Sequence, residues 1–184
     1  MKTMTKIIAG AFAAAAIFIG TNVKAQTTPL NKFRFGVGVE GLLPTGRLHD
    51  YSNVGLGGTA RLQYGVTNNI ALTLTSGYYN YFGKEIPGGA DGKYPSFGVV
   101  PVKAGAKAFI SDGFYFSGEV GAGFATKDEY ATSDGGKSTK LILAPGLGYA
   151  TKSWDIGARY ENFSGGNTSN YGTIGLRIAY GFGL

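Results

Sequence analysis

From Thr173 to Leu184 the chain alternates without a break. Ile174, Leu176, Ile178, Tyr180, Phe182 and Leu184 fall on one side of an extended strand, and Thr173, Gly175, Arg177, Ala179, Gly181 and Gly183 on the other. A segment of this kind can only be one strand of a sheet with one apolar face and one small or charged face. The apolar face must meet either a protein core or lipid, and the strand alone does not say which.

The same alternation recurs along the chain. Strands are expected over 32–43, 54–65, from 70 to about 78, 97–110, 114–124, 139–150, from 154 onward, and 173–184. The expected fold class is therefore all-β, an eight-stranded antiparallel up-and-down barrel, with no helical stretch after the N-terminal segment. Pro44-Thr45-Gly46 reads as the end of the first strand, followed by a polar loop through His49, Asp50 and Asn53. Val66-Thr67-Asn68-Asn69 reads as a turn carried by asparagine, which tolerates left-handed backbone angles. Ser111-Asp112-Gly113 and Thr151-Lys152-Ser153 are short connections, and the intervening ones are longer. Long and short connections alternate, as in membrane barrels with short periplasmic turns and longer outer loops. Each strand also exceeds the usual length of about five or six residues and reaches the roughly 9 to 11 needed to cross a bilayer at a tilt.

Every charge assigned to a strand lies on the face opposite the apolar one: Arg34, Glu40, Arg61, Lys103, Lys107, Glu119, Lys140, Asp155, Arg159, Glu161 and Arg177. A water-soluble barrel would turn these charges out, and a membrane barrel would turn them in. Glycine decides the direction. The charged face is crowded with it, which suits a narrow lumen where long side chains must lie over neighbouring backbone, whereas on a wetted surface it would only weaken the strands. Aromatic residues gather near the strand ends, with Tyr64, Phe114, Tyr149, Trp154 and Phe182 on the short-turn side. Tyr78, Phe82, Phe97, Phe124, Tyr160 and Phe163 lie on the long-loop side. Two such girdles at the membrane interfaces are expected of a transmembrane barrel.

Residues 1–25 read differently. Lys2 and Lys6 precede an apolar run over 7–20, and Val23-Lys24-Ala25 places small residues at the cleavage spacing, so a cleavable signal peptide cut between Ala25 and Gln26 is expected. Residues 26–31 form a short leader and 32–184 the barrel domain. The chain holds 17 basic and 11 acidic residues, but Lys2, Lys6 and Lys24 leave with the signal. The remaining surplus of three gives no reason to expect nucleic acid as a partner. With no cysteine, thiolate metal sites and disulfides are excluded.

Several stretches carry a resemblance: Gly41-Leu42-Leu43-Pro44-Thr45-Gly46, Ala60-Arg61-Leu62-Gln63-Tyr64-Gly65-Val66-Thr67-Asn68-Asn69-Ile70-Ala71, Ala144-Pro145-Gly146-Leu147-Gly148-Tyr149 and Ile156-Gly157-Ala158-Arg159-Tyr160. On these the chain resembles the small outer-membrane β-barrel family, the eight-stranded OmpA/OmpX-like class, in its Bacteroidetes-type versions. The resemblance implies a bacterial outer-membrane protein, surrounded by outer-membrane lipids and inserted by the barrel-assembly machinery. It also implies that Tyr180, Phe182 and Leu184, in the final strand, act as the assembly signal.

Sites of chemistry are few, and no cofactor is expected. Gly36-Val37-Gly38-Val39-Glu40-Gly41 matches a dinucleotide fingerprint in letters, yet it lies inside a strand with no helix to hold a pyrophosphate. Gly136-Lys137-Ser138 resembles the end of a phosphate-binding loop, but Ala131 stands where the first glycine is required. His49, Asp50 and Ser52 invite an acyl-transfer reading, that of a lipid-A-modifying enzyme, which needs a nucleophile, a base and an orienting group held together. The lumen charges are the strongest candidates. Counting through the 111–113 turn places Glu119 opposite Gly105, with Lys103 and Lys107 as diagonal neighbours, so Glu119 is expected to pair with one of these lysines or with an arginine across the lumen. Such a network is either a plug that holds the barrel or the gate of a narrow pore.

Overall fold

A computed structural model describes residues 29–86, 92–126, 139–165 and 169–184. The expected signal peptide, its cut between Ala25 and Gln26, and the 136–138 stretch lie outside the described residues. Eight strands follow in order: β1 (Phe33–Gly46), β2 (Ser52–Gly65), β3 (Ile70–Gly83), β4 (Phe97–Phe109), β5 (Phe114–Ala125), β6 (Thr139–Ala150), β7 (Trp154–Ser164) and β8 (Tyr171–Gly183). Each pairs antiparallel with the next, and β8 pairs with β1 from Arg34↔Gly183 to Gly46↔Tyr171, so the sheet closes on itself. Closure leaves no unpaired edge, which is the condition for a sheet to stand in hydrocarbon. Among the described residues no helix is long and apolar enough to cross a membrane.

The two faces resolve as the alternation requires. On β8, Leu176 is 55 % exposed while Arg177 beside it is 3 % exposed. Val39, Leu74, Val120 and Leu147 are likewise on the outside. This apolar outer surface is continuous around the barrel, and its turn end is ringed by aromatic contacts. Phe33 meets Tyr64 at 4.7 Å, Phe114 meets Tyr149 at 4.8 Å, and Trp154 stands edge-on to Tyr180 at 5.4 Å.

Three local expectations are corrected. Pro44-Thr45-Gly46 does not end β1 but continues it against Thr173, Gly172 and Tyr171. The backbone direction explains why proline is tolerated there. The Phe33 carbonyl accepts from Leu184 and the Lys32 carbonyl from Gly65, so even-numbered β1 residues face β2. Pairing with β2 stops at Leu42↔Gly55, and the missing N–H of Pro44 therefore faces a side without a ladder. Next, the connection after β1 is not an irregular loop but a five-residue helix, α1 (Arg47–Tyr51), which buries Leu48. Finally, the 66–69 turn does not use a left-handed asparagine, since Asn31 is the sole non-glycine with positive φ among the described residues. Its anchor is the Thr67 hydroxyl, which accepts from the backbone N–H of Ile70 at 3.0 Å and of Asn69 at 3.3 Å. Thr151 plays the same part before β7, accepting from the N–H of Trp154 at 3.0 Å. The 111–113 turn does rely on glycine, with Gly113 at φ +80°.

Candidate functional site

The lumen is filled by side chains from all eight strands. The eleven strand charges, Arg34, Glu40, Arg61, Lys103, Lys107, Glu119, Lys140, Asp155, Arg159, Glu161 and Arg177, are all buried in it. Register places Glu119 opposite Gly105, with Lys103 opposite Gly121 one step along. A Cβ on Gly105 would lie 2.2 Å from the Gly118 carbonyl oxygen and 2.8 Å from the Glu119 Cγ. Glycine there is what lets the Glu119 side chain lie flat along the wall.

Seven of the charges form one continuous chain across the barrel. Arg61 reaches Glu119 at 2.8 Å, with the Thr75 hydroxyl donating to the same carboxylate oxygen at 2.9 Å. The other Glu119 oxygen lies 3.2 Å from the Lys103 ammonium, and Lys103 also binds Glu161. Glu161 accepts from the Arg159 Nε at 2.8 Å, and the Arg159 Nη1 forms an ion pair with Glu40 at 2.6 Å. Glu40 closes the chain against Arg177 at 3.4 Å and accepts from the Thr59 hydroxyl at 2.7 Å. Lys103 and Glu161 are each 0 % exposed, so neither could hold its charge alone. Lys107 does not join this chain. It pairs with Asp155, which also accepts from the Tyr115 hydroxyl at 2.7 Å, and its ammonium lies 4.0 Å from the Tyr115 ring centroid. Lys140 stands apart near the loop end, donating to the carbonyls of Gly165 and Ser169 at 3.1 Å each.

Tyr79 belongs to this network, and the sequence reading passed it over. Its hydroxyl accepts from Arg159 at 2.8 Å and from Lys103 at 3.3 Å, and it is fully buried. The same alternation that turned Thr75 and Gly77 inward would have found it one step further along β3.

The loop end of the lumen is lined mainly by aromatic rings, with the Lys140 ammonium 5.6 Å from the Tyr171 ring centroid, which corrects the expected girdle. Phe97 and Phe163 do not face lipid. They point inward, as their parity with Lys103 and Glu161 demands, and pack with Tyr81, Tyr171, Leu42 and Leu48. Phe163 stacks on Tyr171 at 4.7 Å and 16°, and Phe97 meets Tyr171 edge-on at 6.3 Å. Tyr78, Phe82, Phe124 and Tyr160 remain exposed on the outside of the barrel. The lumen thus carries a charged middle beneath an aromatic cap.

The residues of the acyl-transfer reading are not assembled. Ser52 is buried and its hydroxyl donates to the Val54 carbonyl at 3.2 Å, whereas His49 is exposed on α1.

A closed eight-stranded barrel with an apolar outside and an ionic inside is a transmembrane β-barrel of the outer-membrane type. Solved structures share this fold. The attachment invasion locus protein Ail of Yersinia pestis is similar over 84 % of this chain and 100 % of its own, with a TM-score of 0.59 and 19 % identity. The N-terminal β-barrel domain of Pseudomonas aeruginosa OprF is similar over 83 % of this chain and 98 % of its own, with a TM-score of 0.53 and 14 % identity. A further structure of Ail, in complex with the heparin analogue sucrose octasulfate, gives a TM-score of 0.51 at 21 % identity. No family model matches the sequence, and neither does any curated protein. At these identities the likeness concerns the fold.

Proposed function

We propose that this chain is an integral outer-membrane protein that acts as a structural element or through its loop-side surface, with a lumen that serves as a plug. One observation carries the reading: the aromatic cap of Tyr81, Phe97, Phe163 and Tyr171 lies over a lumen already crossed by the Arg61 to Arg177 chain of ion pairs. A conducting pore needs a continuous wet path, and a gate in the salt bridges alone would still open onto packed rings. The reading includes export directed by residues 1–25, insertion by the barrel-assembly machinery with Tyr180, Phe182 and Leu184 as its signal, and a place among the Bacteroidetes-type members of the small-barrel class. It is a non-enzymatic role, supported by the separate engagement of Ser52 and the exposure of His49.

The loops would not share a polyanion ligand with Ail. Residues 47–51, 84–96, 126–138 and 165–170 hold five Lys or Arg against six Asp or Glu, which offers no basic surface. Planar-bilayer recordings of the wild type and Glu119→Ala test the reading. Equal, negligible currents support it, and a sustained open state in either would replace it with a pore.

A further inference from the structure

Toward the turn end of the lumen, Arg34, Arg61 and Arg177 converge on a small recess that is also lined by Gly36, Gln63 and Asp155. Three guanidinium groups and one carboxylate leave it cationic, and the carboxylate is already committed. Asp155 is bound by Lys107 and by the Tyr115 hydroxyl. Arg61 has Glu119 at 2.8 Å. Arg177 holds only the longer share of Glu40, 3.4 Å against the 2.6 Å that Glu40 makes with Arg159. Its Nε also donates to Thr59 at 3.0 Å, but its Nη2 is buried with no hydrogen-bond partner, in a residue that is 3 % exposed. An ionised donor left so is costly unless something else accepts from it.

Glycine at 181 makes room for one of these groups, since a Cβ there would fall 2.2 Å from the Arg34 Nε. A Cβ on Gly36 would meet the Tyr180 carbonyl oxygen at 3.3 Å and lie in ordinary contact with the Arg177 Nη2, at 4.0 Å. Across the whole lumen seven cationic side chains face four carboxylates, and Lys140 is held at the other end by carbonyl oxygens. The excess positive charge therefore sits at this recess.

We propose that the recess binds one small inorganic anion of halide size, accepting from Arg177 Nη2 between Arg34 and Arg61. Its volume of about 20 Å³ admits one or two water-sized particles, which matches a halide. The site rests on the lumen geometry alone and is independent of whether the barrel conducts.

Bromide is the probe. In crystals of the full barrel soaked in sodium bromide, an anomalous peak is expected within hydrogen-bonding reach of Arg177. In solution, the unfolding midpoint is expected to rise in bromide over gluconate at equal ionic strength, because a ligand that binds only the folded state stabilises it. Arg177→Met removes both signals. Gly36→Ala keeps every charge but places a methyl group in the recess, so it also removes both while leaving the barrel folded. Lys140→Met, at the far end, keeps both. An adventitious ion only, seen in the crystal with no difference between the two salts in solution, would overturn the proposal. So would a recess holding water alone, or a peak that persists in Arg177→Met and Gly36→Ala.

Discussion

Arg61 on β2 and Glu119 on β5 meet at 2.8 Å across the lumen, although 58 residues and two intervening strands separate them. Contacts of this kind tie opposite walls of the barrel together. Glu119→Ala would leave both Arg61 and Lys103 short of a carboxylate in a buried setting, a loss expected to cost about 3 to 5 kcal/mol. Urea unfolding followed by Trp154, the only tryptophan, reads the change. Glu119→Gln retains an acceptor for Thr75 and Arg61 and should lose less. An unfolding midpoint for Glu119→Ala equal to that of the wild type would mean that the pair does not hold the barrel.

The closing seam can be tested without other thiols in the chain. Val39 on β1 pairs directly with Ile178 on β8, so a Val39→Cys and Ile178→Cys variant should form a disulfide in the folded barrel. Non-reducing gels would show a species of altered mobility that reductant abolishes. Val39→Cys with Tyr180→Cys is offset along the strand and should link poorly. Equal linking in both variants would show that the register slips.

The direction of the apolar face makes a third expectation. Leu176→Arg puts a charge on the outside near the middle of β8, where the membrane interior should impose about 2 to 4 kcal/mol. Leu184→Arg, beyond the end of the strand, should cost about 0 to 1 kcal/mol, because an arginine near the interface can reach water. Folding titrations into phospholipid vesicles measure both. A similar small cost at both positions would indicate that this face meets water.

The cap and the ion pairs close the lumen in series. Opening a conducting path should therefore need both to be removed, for example Glu119→Ala combined with Tyr81→Ala and Phe163→Ala. Currents from the triple variant should exceed those of Glu119→Ala, which should remain at baseline. A current in Glu119→Ala equal to that of the triple variant would show that the rings do not seal the loop end.

Much of this architecture follows from a period of two. Whether a side chain points in or out is fixed by the local backbone, so the alternation around Arg177 or Lys103 is visible in a short window of sequence. The same rule turns Phe97 and Phe163 inward, and the expected girdle misplaced them because it weighed their position near strand ends above their parity. The end of β1 likewise depends on more than residue type. Pro44 is a strand breaker only where its N–H would be needed, and that depends on where the pairing with β2 stops.

What the sequence determined by itself is the number of strands, their two faces and the set of charges committed to the inside, since these depend on residues a few positions apart. Which charge meets which was decided only by tertiary structure. Lys103 and Lys107 are both diagonal neighbours of the β5 stretch around Glu119, yet Lys103 takes Glu119 and Glu161 while Lys107 takes Asp155. The choice comes from the closure of the barrel, which brings β7 across the lumen to β4. Spacing along the chain carries no record of that distance.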